Sequence, residues 1–505
     1  MEKIQKEIRG IGNRIDPQYP PFTSPETYQG KPILVIWIPG VDLRPYQAPK
    51  NLDKGSQKKY YIRQGSETIE AHGALLTKLM QMTARVPFDD RRNLTASTDS
   101  ISLALVKNFL SDIKSDLVAL GVTHSDQYLL DALKITAPVN SHEVPRNVAL
   151  LFFVDDPEKY FPGARIEIAQ FRDEAGGDLI EEQIFRGPIQ SQIRQALAYL
   201  NSLSTSMVQK IPNQAIANRT VAFPYEAMEE ALVNAVYHRS YDGNPEPTKV
   251  YLYPDRLEII SYPGPVEGIY HHNFQPGARI PKVPSRNRRI GDFLKDLKLA
   301  EARGTGIPKI RRKMTENGSP DPIFEFDERT RTYFCVTLPA HPQYVVIHAL
   351  REAAHLWAIG ERQRAIAHLE AARQRVPSSG ALIAQTIEYR AASEDLALAE
   401  QIFREVKDDL TVQNRHLPYS AMAKTLLDQG EVEKAKNILE KSPQPIKANE
   451  SLGLAILYKR AGDFQSAHRL FKENYDFVEN EPKFLHEYAQ VKNKLAAKAR
   501  NKKAK

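Results

Sequence analysis

Turn residues stand at Gly360, near Asp395, at Gly430 and at Gly462, cutting the last third of this 505-residue chain at separations of about 35, 35 and 32 residues. A period of that length fits a helix, a tight turn and a second helix, stacked into a solenoid whose units cannot bury their apolar faces singly. The stretch is therefore expected to fold as an array. Composition changes at the same place: past Pro342 the β-branched runs vanish and Ala, Leu, Glu, Gln, Lys and Arg dominate, the strong helix formers. In the best-formed units, Ala354 to Ala372, Met422 to Leu439 and Leu454 to Phe471, an alanine follows the glycine in the second helix, where two helices cross closely. An ordinary helical bundle shares the 3.6-residue period, and only the spacing separates the two readings.

The units resemble tetratricopeptide repeats, which implies a protein-binding arm over residues 342–490. Ahead of it the chain alternates. Lys31 to Pro39 and Lys59 to Gly65 read as strands, and Ser100 to Leu120 and Gln127 to Leu133 as helix. Asn147 to Val154 and Ala164 to Phe171 read as strands again, and Ile189 to Ser202 as helix. Tyr225 to Tyr237 reads as helix behind Pro224, Lys249 to Ile260 as a hairpin turning at Pro254-Asp255-Arg256, Ile290 to Met314 as helix-rich and Thr332 to Leu338 as a closing strand. The expected organisation is multidomain α+β: a partial β-rich module over 1–74, an α/β middle domain over 75–205, an α/β sandwich over 206–341, the helical repeats, and a basic disordered tail over 491–505.

The net charge of +7 is misleading about partners. Val491 to Lys505 holds seven Lys and Arg and no acid, so the remainder is formally neutral. Nucleic-acid contact must then be argued from local patches. The lone Cys335 lies in an apolar run and cannot form an internal disulfide or a Cys-rich zinc cage. His238, His271 and His272 form no metal-spaced set. Apolar runs fall short of a membrane span and the charged start is unlike a signal peptide, so the chain is expected in the cytoplasm.

Three motifs could carry chemistry. In Glu230-Ala-Leu-Val-Asn-Ala-Val-Tyr-His-Arg239, Glu230 and Asn234 are four apart on one helix face, a carboxylate beside an amide oxygen able to position water and a hydrated magnesium ion. Leu257 to Gly264 ends a strand at a Pro-Gly turn, where backbone can approach a ligand closely. Glu301 to Lys313 contains Gly304-Thr-Gly306 ahead of a helix with Pro308 in its first turn, an arrangement that can cradle phosphates. Between the last two lies a basic stretch with Arg279, Lys282, Arg286, Arg288 and Arg289 and no acid, suited to a nucleotide's phosphates or to a nucleic-acid backbone.

Taken in order, and with Ser285-Arg-Asn287 between them, these motifs resemble the divergent ATP-binding domain of the gyrase, Hsp90, histidine-kinase and MutL (GHKL) superfamily. The version is that of transcriptional regulators related to the RecG helicase, which also carry a Schlafen/Alba-type domain. The resemblance implies ATP and Mg2+ as cofactors, Glu230 orienting the attacking water, Asn234 holding magnesium, and Gly304 and Gly306 forming a phosphate lid. It also implies His238, Arg239, Gly264, Ser285, Arg286, Asn287, Glu301 and Thr305 around the nucleotide. Two departures stand out: Tyr262 occupies the place of the usual Asn before Pro-Gly, and the superfamily's Asp-x-Gly-x-Gly box is absent. Hydrolysis is therefore left open.

Val35 to Pro39, Arg44-Pro-Tyr46 and Tyr60 to Ser66 are similar to the second half of the Alba-type domain. They suggest DNA or RNA contact through Lys58, Lys59 and Arg63, against the alternative that these are solvated strand-edge charges. The front half of that domain has no counterpart, so either the true start lies upstream or the module is shortened, and a nuclease reading loses support. The leading expectation is an ATP-binding, nucleic-acid-associated regulator with nucleotide-dependent switching and a protein-interaction arm. An ATPase or nuclease-type effector of a phage-defence kind, and a scaffold with a vestigial ATP site, remain the alternatives.

Overall fold

Most of the β-branched runs before Pro342 collect in one six-stranded sheet. The structure is a computed structural model describing residues 1–505 apart from 20, 39–44, 54, 65, 74, 77–78, 80–85, 118–124, 140–141, 174, 205, 210–217, 301–305, 446 and 504–505. Met1–Pro339 and Ala340–Lys505 are separate compact units.

The first unit opens with a helix, Glu2–Gly12, a hairpin of β1 (Phe22–Tyr28) and β2 (Lys31–Trp37), and a three-stranded sheet of β3 (Gln47–Pro49), β4 (Lys58–Gln64) and β5 (Glu67–Glu70). A second hairpin pairs β6 (Thr136–Val139) with β7 (His142–Pro145). Then come β8 (Ile166–Phe171), β9 (Leu179–Phe185), the small pair β10 (Ser206–Gln209) and β11 (Asn218–Val221), β12 (Thr248–Leu252), β13 (Arg256–Ser261), β14 (Ile323–Glu325) and β15 (Phe334–Pro339). The main sheet has the order β14-β15-β13-β12-β8-β9, antiparallel throughout except for the parallel β8–β12 pair. A parallel pair requires a crossover, supplied here by helices Ile189–Leu203 and Tyr225–His238. The sheet thus takes strands from both sides of the boundary expected at residue 206.

Alternation sets the core. Ile166, Ile168, Val250, Leu257, Ile259 and Leu338 are each at most 1% exposed, and the Tyr225–His238 helix buries Ala227, Ala231, Leu232 and Val236. Each such large apolar side chain contributes about 1.5–3 kcal/mol. Cys335 is buried, with its thiol pushed up to about 12 by desolvation, in keeping with an inert core residue.

Two expectations fail in the middle segment. Asn147–Phe152 is a helix, not a strand, and every one of its residues is buried. A segment buried on all sides shows no polar face, so its periodicity cannot tell helix from strand. The Ser100-to-Leu120 helix is shorter in the described residues, Leu103–Asp112, and stops where Lys114 turns left-handed at φ 54. Phe109, Phe152 and Phe293 form one aromatic cluster, with centroids 5.1 Å apart for Phe109–Phe293 and 5.2 Å for Phe152–Phe293, tying this segment to the Arg288–Asp296 helix.

The second unit is a series of helical hairpins: Pro342–Ala358 with Arg362–Arg375, Gly380–Ala392 with Leu396–Val406, His416–Asp428 with Val432–Glu440, and Ala448–Arg460 with Phe464–Glu473. The left-handed turn residues are Gly360, Glu394, Gly430 and Gly462, the second falling next to Asp395, where a turn is expected. Five positions on, Ala365, Ala399, Ala435 and Ala467 are all fully buried; nine on stand Leu369, Phe403, Leu439 and Phe471. An acid, Glu361, Asp395, Glu431 or Asp463, sits at each N-cap of the second helix, where the macrodipole favours negative charge. The last helix, Pro482–Lys503, runs through the segment expected to be a disordered tail, and Lys492 lies 4.1 Å from the Tyr488 ring centroid. Among the described residues no helix is long and apolar enough to cross a membrane.

Candidate functional site

The Tyr225–His238 helix lays an apolar stripe on the sheet, and that stripe carries one acid with it: Glu230 is only 4% exposed. A buried carboxylate must be paired or hydrogen-bonded. Asn234, one turn on, donates from Nδ2 to Glu230 Oε1 at 3.1 Å, while Lys309 Nζ lies 3.3 Å from Oε2. Lys309 belongs to the first turn of the Gly306–Asn317 helix. A Cβ on Gly306 would come 2.3 Å from Glu230 Oε1 and 3.0 Å from Asn234 Nδ2, so a larger residue would push the carboxylate and amide aside. The first and third motifs therefore meet, with the positive end of one helix set against the Glu230–Asn234 pair of the other. Glu301, Gly304 and Thr305 lie outside the described residues.

The other motif residues serve the far end of the same helix. Fully buried Asn287 donates from Nδ2 to Tyr237 O at 2.8 Å and to Arg239 O at 2.7 Å. Arg286 donates to His238 O, and at 3.2 Å to Gly264 O. Ser285 bonds the Tyr237 hydroxyl. Three consecutive carbonyls that a helix terminus leaves without intrahelical partners are thus satisfied, with a guanidinium at the negative end of the dipole. Gly264 is required by its own chain: its N–H donates to Arg331 O at 2.7 Å, and a Cβ would come 2.9 Å from Tyr333 O.

Arg239, expected around the nucleotide, is turned into the core at 2% exposure. It donates to Gly163 O and, at 2.7 Å, to Glu246 O, with its guanidinium 4.6 Å from the Tyr241 ring centroid. Its donors are occupied by backbone, which fits a bracing role between β8 and β12. His238 is exposed at the surface but closely surrounded by protein atoms. That enclosure, with the Arg286 guanidinium adding to it, pushes its pKa down to about 4, so the ring is neutral at pH 7. Tyr262 lies on the opposite face of the sheet from the Glu230 helix: Leu257, Ile259 and Ser261 point to the helices, whereas the Tyr262 ring centroid is 5.5 Å from Lys249 Nζ.

Asp89 was not singled out by the sequence. It is fully buried and accepts from Ile290 N at 2.8 Å, capping the Arg288–Asp296 helix from 201 residues away. Desolvation pushes its pKa up to about 6 against the opposing backbone hydrogen bonds, and its Oδ1 has no hydrogen-bond partner. Only its place in the charged run Asp89-Asp90-Arg91-Arg92 could have signalled it. Next to it, Asp90 Oδ1 lies 3.4 Å from Arg146 and 3.5 Å from Arg289.

The proposed nucleic-acid residues are largely paired. Lys58 lies 3.7 Å from Asp16, Lys59 2.8 Å from Glu70, and Arg63 donates to Thr68 at 3.1 Å. In the basic stretch Arg286 and Arg289 are engaged within the protein, leaving Arg279, Lys282 and Arg288 exposed. Among the described residues no group of three or more His, Cys, Asp or Glu could hold a metal ion.

No curated protein matches the chain. Among solved structures, the DIP2311 protein of Corynebacterium diphtheriae is similar at 19% identity and a TM-score of 0.37, over 67% of this chain and 62% of that one. The PilF protein of Pseudomonas aeruginosa is similar at 16% identity and a TM-score of 0.25, over 31% of this chain and 71% of that one. Neither likeness is close enough to define the fold. Residues 246–338 match the model of a family described as "Putative ATP-dependent DNA helicase recG C-terminal", a stretch that takes in β12, β13, Ser285 to Asn287 and the Gly306–Asn317 helix, and starts after the helix bearing Glu230. The chain carries a RecG-related, ATPase-like domain, and such a domain suggests ATP as its ligand.

Proposed function

We propose that Glu230, Asn234 and the N-terminus of the Gly306–Asn317 helix bind ATP with magnesium, and that occupancy changes how the flanking modules engage nucleic acid or protein. The observation that carries this reading is the close approach of Gly306 to Glu230 and Asn234, where a Cβ would displace their side chains. The donor set fits the ligand. Glu230 and Asn234 offer one carboxylate and one amide oxygen, too few to cage a metal alone, and magnesium characteristically completes its shell from waters and substrate phosphates. Bound magnesium would supply charge neutralisation on the phosphates. Asn234 would face the metal through Oδ1, since Nδ2 is engaged with Glu230. The helix N-terminus would meet the phosphates with free N–H groups, and Glu230 would orient water. Arg279, Lys282 and Arg288, exposed and without an acid partner among the described residues, support contact with a phosphate backbone, and the repeated register of the second unit supports a tetratricopeptide-like arm for a protein partner.

Thermal unfolding and calorimetry of the full chain test the core of this. ATP with magnesium at a hundredfold excess over its dissociation constant should stabilise the protein by about 2.7 kcal/mol. Asn234→Ala should melt somewhat lower without nucleotide, because the buried Glu230 loses a donor, and should show no further shift when ATP and magnesium are added. Indifference of the wild-type chain to ATP, ADP and magnesium together would remove the reading. Single-turnover assays with Glu230→Ala as control then separate an ATPase from a binding switch.

A further inference from the structure

We propose that Lys309 is the switch residue of this site: its ammonium neutralises Glu230 while phosphate is absent and passes to the triphosphate when nucleotide binds. The inference rests on the nucleotide-binding reading above and adds what holds the site shut. Both Glu230 oxygens are taken, Oε2 by Lys309 at 3.3 Å and Oε1 by Asn234 at 3.1 Å with Gly306 packed against it. Neither oxygen is free to align a water. The two side chains are 18% and 5% exposed, so the pair is largely desolvated and each charge depends on having a partner.

Lys309 also stands at an electrostatically awkward place. It is in the first turn of its helix, where the macrodipole favours anions, so an ammonium there is tolerated only beside negative charge. Glu230 supplies one such charge and a magnesium-bound triphosphate would supply more, close to the same helix end. Transfer of the ammonium would release Oε2 for water in the same movement. One turn along, Lys313 Nζ lies 3.6 Å from Glu226, so the two helices are clipped by a buried and an exposed ion pair of the same type. The exposed pair is a built-in control.

The test is calorimetry on the full chain with a non-hydrolysable ATP analogue and magnesium, and separately with adenosine. Losing a charge-assisted phosphate contact should weaken analogue binding by about tenfold or more in Lys309→Met. Adenosine binding should stay within about twofold, as should analogue binding to Lys313→Met. Glu230→Gln, which removes the carboxylate charge facing Lys309, should bind the analogue several-fold tighter, and the Glu230→Gln/Lys309→Met double variant should be as weak as Lys309→Met. The double variant also removes the unpaired buried carboxylate, so it remains informative if Lys309→Met folds poorly. Equal losses of analogue and adenosine, or unchanged analogue binding in Lys309→Met and no gain in Glu230→Gln, overturn the switch. A wild-type chain that binds neither ligand removes the nucleotide reading itself.

Discussion

The helical unit and the sheet unit use their recurring residues in opposite ways. In the second unit each repeated position does one job four times: a left-handed turn, a fully buried alanine five residues on, a large apolar residue nine residues on. In the first unit, motif residues that look alike in sequence are split between the middle and the C-terminal end of one helix. Glu230, Asn234 and Gly306 meet at one place, while Ser285, Arg286 and Asn287 close the helix terminus beyond it. Repetition reports packing, whereas a motif met once reports only that its residues are constrained.

The largest effect expected is in the repeats. Leu439 is fully buried in the core it shares with Leu454, Tyr458 and Phe471, and Leu439→Ala should cost about 2–5 kcal/mol in denaturant unfolding. A loss below about 1 kcal/mol would mean that the hairpins do not pack as an array. Next comes Asp89. Its folded pKa of about 6 lies above the unfolded value of 3.8, so the folded state holds a proton that the unfolded state has lost, and stability falls as pH rises between the two. The roughly 2-unit displacement corresponds to about 3 kcal/mol. Stability of Asp89→Asn relative to the parent should therefore climb by about that much from pH 4 to pH 7. Taking the difference cancels His238, whose lowered pKa has the opposite sign: protonation of the unfolded chain costs stability as pH drops from 6.5 towards 4. A flat difference would show that Asp89 is not held protonated.

Asn287→Ala follows, at about 1–3 kcal/mol, because two carbonyls at the helix end lose their donor. If Asn287 instead belonged to the nucleotide site, the variant would melt normally and lose ATP-induced stabilisation. This single measurement tells a cap from a ligand contact.

How much was legible follows from the range of the interactions. The hairpin turns, the Tyr225–His238 helix and the β12–β13 hairpin are local, and spacing alone located them. The Asn147–Phe152 helix was misread because complete burial erased its polar face. Arg286 and Asn287 reach the helix end from 48 positions away, and such a cap leaves the same trace in sequence as a binding residue: polar side chains in an irregular loop. Asp89 acts across 201 positions, and no local pattern encodes that. The resemblance to a RecG-related, ATPase-like domain agrees with the match over residues 246–338, but it did not separate the middle of the Tyr225–His238 helix from its C-terminal end.

The smallest expected effect returns to the repeats. Gly360, Gly430 and Gly462 hold φ of 88, 82 and 79, and Glu394 holds the equivalent turn at φ 64 with a side chain attached. The left-handed region is strained for a residue with a Cβ, by about 1–2 kcal/mol. Because Glu394 is exposed, replacing it removes strain without opening a cavity. Glu394→Gly should stabilise the chain by about 0.5–1 kcal/mol, the gain being reduced by glycine's greater freedom in the unfolded state. The same substitution at Glu361, one residue past a glycine turn and not left-handed, should destabilise slightly or do nothing. If both substitutions behave alike, the four turns are not equivalent, and the register that makes this unit an array would have to be drawn from its buried alanines alone.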